Sequence, residues 1–206
     1  MHLVPQPLST LLARLVHECT TDAKTPIFDL PRHRFYPGSP VDLSVSLHGR
    51  RAANPIGPAA GPHTQLAQNL VLSWLGGARV MELKTVQIND TLDIPRPCID
   101  AENVGYNVEW SQELRLPESL FEYAKGFLLL AALRKLNPQG LRAAELDTLF
   151  DISVGYSLDG IRSPQVAKWL DTMRSARSLL VQLRDEVPSE LRRHLRPLRR
   201  VLLDPS

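Results

Sequence analysis

The chain has 206 residues, 43% apolar and 22% charged, with a formal net charge of +2. That length suggests one domain, or one domain with an extension, with enough apolar sequence to bury a sizeable core. The charge is too small to imply a nucleic-acid partner, and two distant cysteines, Cys19 and Cys98, without a CxxC argue against zinc, iron–sulfur or disulfide chemistry within the chain.

The start, MHLVPQPLSTLLARLV, lacks the basic stretch and long apolar run of a secretory signal. Reduced cysteines and no leader together fit a cytoplasmic location. Residues 8–18, LSTLLARLVHE, predict a short amphipathic helix with Ser9 or Thr10 as N-cap. The Pro- and aromatic-rich stretch 25–40 reads as an extended arm, and VDLSVSL at 41–47 alternates like one strand of a hairpin. After the loop GRRAANP, IGPAAG reads as a short strand or strand end. TQLAQNLVLSWL at 64–75 predicts a helix closed by Gly76 and Gly77, and ARVMEL at 78–83 a buried parallel strand.

Residues 87–118 are loop-like, and a loop that long inside a compact domain is usually functional. Residues 119–136 predict a helix; its FLLLAAL run at 127–133 is too short to span a bilayer. LFDISVGY at 149–156 reads as a strand, with a turn from Ser157 to Ile161. Residues 163–186 predict one long helix capped by Ser163 with Pro164 in its first turn. The tail carries five arginines from Arg192 to Arg200 around a stripe of Leu191, Leu195, Leu198 and Leu202, as in an amphipathic helix interrupted by Pro197.

Strand, helix, strand, loop, helix, strand, helix is the order of an α/β protein with parallel strands. Three such strands are recognisable, whereas a closed barrel needs eight and about 250 residues. Ligands in parallel sheets sit beyond the C-terminal strand ends. GPAAG and ELKT end two successive strands, so both would project to one face. Gly57, Ala59, Ala60 and Gly61 would let a flat ligand approach the backbone, Lys84 would place a cation there, and Thr85 a hydroxyl. Ser153, Gly155 and Tyr156 would bring a third strand end to that face. His63 lies close enough in sequence to join them. The same residues also suit a tight turn under a helix and a solvated strand-end lysine. Neither GxxxxGK[ST] nor GxGxxG occurs.

Four motifs, NPIGPAAGPHTQLAQN, ELKTVQI, PCIDAENVGYNVEWS and FDISVGYSLDGI, resemble the N-terminal part of the "putative selenate reductase subunit" family of large flavin and iron–sulfur oxidoreductases. That part is similar in turn to the FMN-binding barrels of dihydropyrimidine and dihydroorotate dehydrogenases. The resemblance covers roughly residues 40–165. It implies an α/β fold: a partial, truncated TIM barrel of the FMN-linked dihydroorotate dehydrogenase-like type. Residues 1–50 would form an N-terminal helix, arm and hairpin, and 51–206 the first βα units.

The resemblance also implies a site. Ala59, Ala60, Gly61, Lys84 and Thr85 would contact FMN, while Lys84 and Asn107 would reach a small-molecule substrate. Hydride would be exchanged at the flavin. Iron–sulfur clusters and FAD/NADPH would belong to other domains of the family. The strands that normally carry the phosphate site and the acid/base residue do not appear in this sequence. The expectation is therefore a fragment or split subunit, poorly stable alone or completed by a further chain or domain, with no membrane partner. The alternative is a non-catalytic fragment or interaction module without bound flavin.

Overall fold

Leucines at 8, 11, 12 and 15 recur at helical spacing, and all four lie on the buried face of helix α1, Leu8–Thr20, in the computed structural model. The structure describes residues 4–84, 88, 99–100, 106–107 and 114–195. The expected hydroxyl cap of α1 is not used. The helix begins one residue before Ser9, with Pro7 at the N-cap position and its carbonyl accepting the Leu11 N–H. The segment after α1 is folded back rather than extended. Phe28 and Asp29 adopt positive φ, Ile27 and Leu30 bridge each other, and Arg32 donates to the carbonyls of Glu18 and Thr25.

The expected hairpin is present as β1, Val45–Leu47, and β2, Arg50–Ala52. His48 and Gly49 between them both take positive φ, 51° and 70°. That is the two-residue turn whose twist matches flanking antiparallel strands.

IGPAAG is not a strand. Its backbone runs beside the next strand but makes ladder bonds only at its start, where the Ile56 carbonyl accepts from the Arg79 and Val80 N–H groups. Pro55 and Pro58 have no N–H to give, so the ladder cannot continue. Gly57 lies so close to that strand that an added Cβ would meet the Val80 carbonyl oxygen at 1.7 Å.

A short 3₁₀ turn at Pro62–Gln65 precedes α2, Ala67–Leu75. Leu66 is extended between them, so the helix starts three residues later than its apolar pattern suggests. Gly77, at φ 112°, turns the chain into β3, Val80–Lys84. Two-residue strands β4, Ile99–Asp100, and β5, Tyr106–Asn107, pair antiparallel within the stretch read as a loop.

Helix α3, Leu116–Leu136, is the centre of the core. It begins earlier than its apolar run suggests because Pro117 suits a first turn and Glu118 accepts the Arg115 N–H. Strand β6, Leu149–Ser153, pairs parallel with β3, placing Glu82 beside Asp151 and Lys84 beside Ser153. Two parallel strands are thus formed among the described residues, with the 56–61 stretch beside them in place of a third.

The expected Ser157–Ile161 turn is one turn of helix, α4, Leu158–Ile161. The expected long helix is two: α5, Pro164–Arg174, and α6, Arg177–Asp185. Ser163 caps the first, accepting the Val166 N–H. The break at Ser175 and buried Ala176 bends the chain, so that Trp169 and Met173 on one piece and Leu180 and Leu183 on the other all reach the core around α3. The tail forms α7, Ser189–Arg192, and a 3₁₀ turn at Arg193–Leu195, whose last leucine is buried. Pro197, Leu198 and Leu202 lie outside the described residues. No described helix is long and apolar enough to cross a membrane.

Candidate functional site

Strand β3 alternates. Met81 and Leu83 are buried among the helices, while Val80, Glu82 and Lys84 are half-buried on the opposite face. Because parallel partners share a face, Asp151 of β6 stands on that second side with Glu82 and Lys84. The 58–61 stretch comes to the same side: the Glu82 carboxylate accepts the Ala60 N–H at 2.7 Å. The structure therefore brings the GPAAG and ELKT motifs together, as their order along the chain implies.

The individual residues differ in what they can offer. Ala59 is exposed, Ala60 half-buried and Gly61 buried. Gly61 leaves no gap for a ligand: an added Cβ would meet the His63 imidazole at 2.7 Å. Its N–H is directed to the Thr64 hydroxyl, which donates back to the Gly61 carbonyl. Two of the three N–H groups from Ala59 to Gly61 are thus used inside the protein, which narrows the expected backbone contact to the Ala59 amide and the carbonyls of Ala59 and Ala60. Lys84 closes β3, and its carbonyl accepts the buried Tyr123 hydroxyl at 2.5 Å. Thr85 lies outside the described residues. Asn107 is placed in β5, opposite Ile99. Gly155 is exposed, and the Tyr156 ring packs over Gly160, where an added Cβ would meet it at 2.3 Å.

Three supporting residues were not singled out from the sequence. Glu82 holds the Ala60 amide. Tyr123, edge-on to Trp169, holds the end of β3 from the core side. Glu122 is fully buried one residue earlier on α3, accepts the first N–H of α2 at Ala67 and pairs with Lys125. The three-residue spacing of Glu122 and Lys125 was the legible part; the contact with α2 is not readable without the fold.

A cavity of about 230 Å³ lies at the other, N-terminal end of the strands, lined in part by Tyr36, Asn54, Arg142 and Glu145. Its charged groups are committed to one another. The Glu145 carboxyl is held down at about 2, first by the Arg142 guanidinium and then by the Ser39 N–H. Nearby Arg79 is fully buried, stacked 4.2 Å from the Trp74 ring, and gives N–H groups to the carbonyls of Trp74, Ala78 and Glu145. Burial lowers its pKa to about 10. In βα barrels this end serves stability, and the opposite end carries chemistry.

Parallel strands linked through helices, with the small-residue and lysine motifs at one set of strand ends, define a unit of the α/β class with a ligand-facing strand end. The family described as the N-terminal TIM-barrel domain of oxidoreductase YgfK matches residues 28–201, and the chain belongs to that family. The curated relatives include the "Putative oxidoreductase YgfK" of Escherichia coli K12 and that of Escherichia coli O157:H7. Each is 44% identical over 173 residues, covering 84% of this chain and 16% of the relative. The chain spans about one-sixth of the length of the curated relatives it matches. No solved structure matches.

Proposed function

We propose that this chain forms the flavin-facing first part of an FMN-dependent oxidoreductase barrel, similar to those of dihydropyrimidine and dihydroorotate dehydrogenases. The observation that carries the reading is the Ala60–Glu82 hydrogen bond. It sets exposed Ala59 beside the strand face that ends in Lys84, leaving a low wall next to a cation. Such a wall fits the edge of an isoalloxazine. Lys84 and Thr85 would hold the ring's polar edge and Ala59 and Ala60 would back it. Lys84 and Asn107 would reach a small-molecule substrate. FMN supplies hydride transfer when bound. The cation at Lys84 favours the reduced, anionic ring electrostatically.

The phosphate contacts and the remaining barrel strands would come from a further domain or chain, in keeping with the much greater length of the relatives. Onward electron transfer, with any iron–sulfur, FAD or NADPH chemistry and any role with selenate, belongs to that larger assembly. A non-catalytic reading is favoured by one observation: Gly61, expected to face the ligand, is covered by His63.

The test is the visible absorption spectrum of the purified chain with added FMN, after desalting. Retained flavin bands that disappear in Lys84→Ala support the flavin reading. A colourless protein at saturating FMN favours the non-catalytic one for this chain.

A further inference from the structure

The 58–61 stretch is fixed at its far end, where Thr64 bonds both the N–H and the carbonyl of Gly61, and has little else to hold it against β3. Pro58 has no N–H, and the ladder to β3 stops at Ile56. Beyond the close approach of Gly57 to Val80, this stretch is tied to β3 by the bond from the Ala60 N–H to the Glu82 carboxylate, 2.7 Å long. A carboxylate acceptor makes such a bond about twice as strong as a neutral one. The neighbouring carboxylate cannot replace it: Asp151, the register partner of Glu82, accepts the Ile152 N–H and faces His48 at 3.8 Å.

We infer that Glu82 is a positioning residue for the ligand-facing backbone, an inference that rests on the flavin reading for the identity of the ligand. By taking the Ala60 N–H, Glu82 turns that donor away from the ligand. It leaves the Ala59 amide and the carbonyls of Ala59 and Ala60 as the groups a ligand can meet. Its charge has a second effect. Glu82 and Lys84 stand on one face of β3, two residues and so roughly 7 Å apart. The carboxylate opposes the lysine's pull on a reduced, anionic ring. Glu82 would therefore both fix the wall and lower the potential of a flavin held against it.

The two effects separate by substitution. Glu82→Gln keeps an oxygen to accept the Ala60 N–H and loses the charge, whereas Glu82→Ala loses both. Amide hydrogen exchange is measured residue by residue on the whole chain without flavin. Titration with FMN and the potential of the bound flavin follow. In the unsubstituted chain, the Ala60 amide is expected to be protected although it lies outside any helix or strand. Glu82→Ala should speed its exchange about tenfold or more, as expected for loss of a bond to a charged acceptor. Leu83 and Val71 should keep their protection. The FMN dissociation constant should rise by a similar factor. Glu82→Gln should keep the Ala60 protection and raise the flavin potential.

An Ala60 amide that exchanges at the unprotected rate in the unsubstituted chain overturns the inference, whether or not the alanine variant folds. So does unchanged FMN affinity in Glu82→Ala. If the unsubstituted chain takes up no FMN, the flavin reading fails, and the exchange data still decide whether Glu82 anchors the stretch.

Discussion

The two faces of β3 are built for different purposes. On one, Met81 and Leu83 are essentially inaccessible and belong to a core shared with α1, α2, α3, α5 and α6. On the other, Val80, Glu82 and Lys84 are only half covered, beside Asp151 and the exposed Ile56. The helix side therefore carries the folding free energy and the open side carries polar groups in chosen positions. Stability and ligand binding should come apart when the two sides are substituted in turn.

The largest loss is expected behind the strand, where charge is buried. Glu122→Ala leaves the charge of Lys125, only 7% exposed, with the Gln6 carbonyl but no counter-ion, and the first amide of α2 without its acceptor. Breaking a buried pair in this way costs about 4 kcal/mol, measured as a fall in the urea midpoint. Leu83→Ala, 1% exposed on the helix side of β3, should cost about 3 kcal/mol by leaving a cavity. Gly57→Ala forces the 56–61 stretch off the Val80 carbonyl and should cost about 2 kcal/mol. Among these variants, it is also the one expected to weaken ligand binding directly, because it moves the wall itself.

A smaller effect is expected at the N-terminal end of the strands. The Glu145 carboxyl lies at about 2 in the folded protein, against an ordinary 4.5. A depressed carboxyl contributes stability above the unfolded value and loses it as the pH falls towards the folded one. Stability should therefore decline between about pH 4.5 and pH 2, and Glu145→Gln should flatten that part of the profile. An unchanged slope in acid denaturation curves would show that Arg142 and Ser39 do not hold the group in solution.

The hairpin, helices α1 and α3 and both parallel strands were legible because their apolar periods are long or their turn residues distinctive. Adjacency of the GPAAG and ELKT ends was legible from crossover geometry alone. The IGPAAG strand was misread because its small apolar residues suit a strand while its prolines remove the donors a strand needs. The break between α5 and α6 was illegible for the opposite reason. Val166, Trp169, Met173, Leu180 and Leu183 continue one helical stripe straight across it, and only the curvature of the core around α3 demands a bend. Glu82 was passed over because its partner is a backbone amide, which no side-chain pattern announces.

The smallest stability effect is expected at the residue expected to matter most for binding. Lys84 ends β3 on the open face, and its carbonyl accepts the Tyr123 hydroxyl. Truncating the side chain leaves that bond and the buried Leu83 in place. Lys84→Ala should therefore cost only about 1 kcal/mol, the common size for a single substitution outside the core. Its effect on FMN affinity should be far larger, since it removes the cation beside the wall. Measuring urea midpoint and FMN titration on the same preparation gives both numbers. A variant that lost stability and affinity in equal measure would make Lys84 part of the core, and the division between the two faces of β3 would fail at the position where it matters for function.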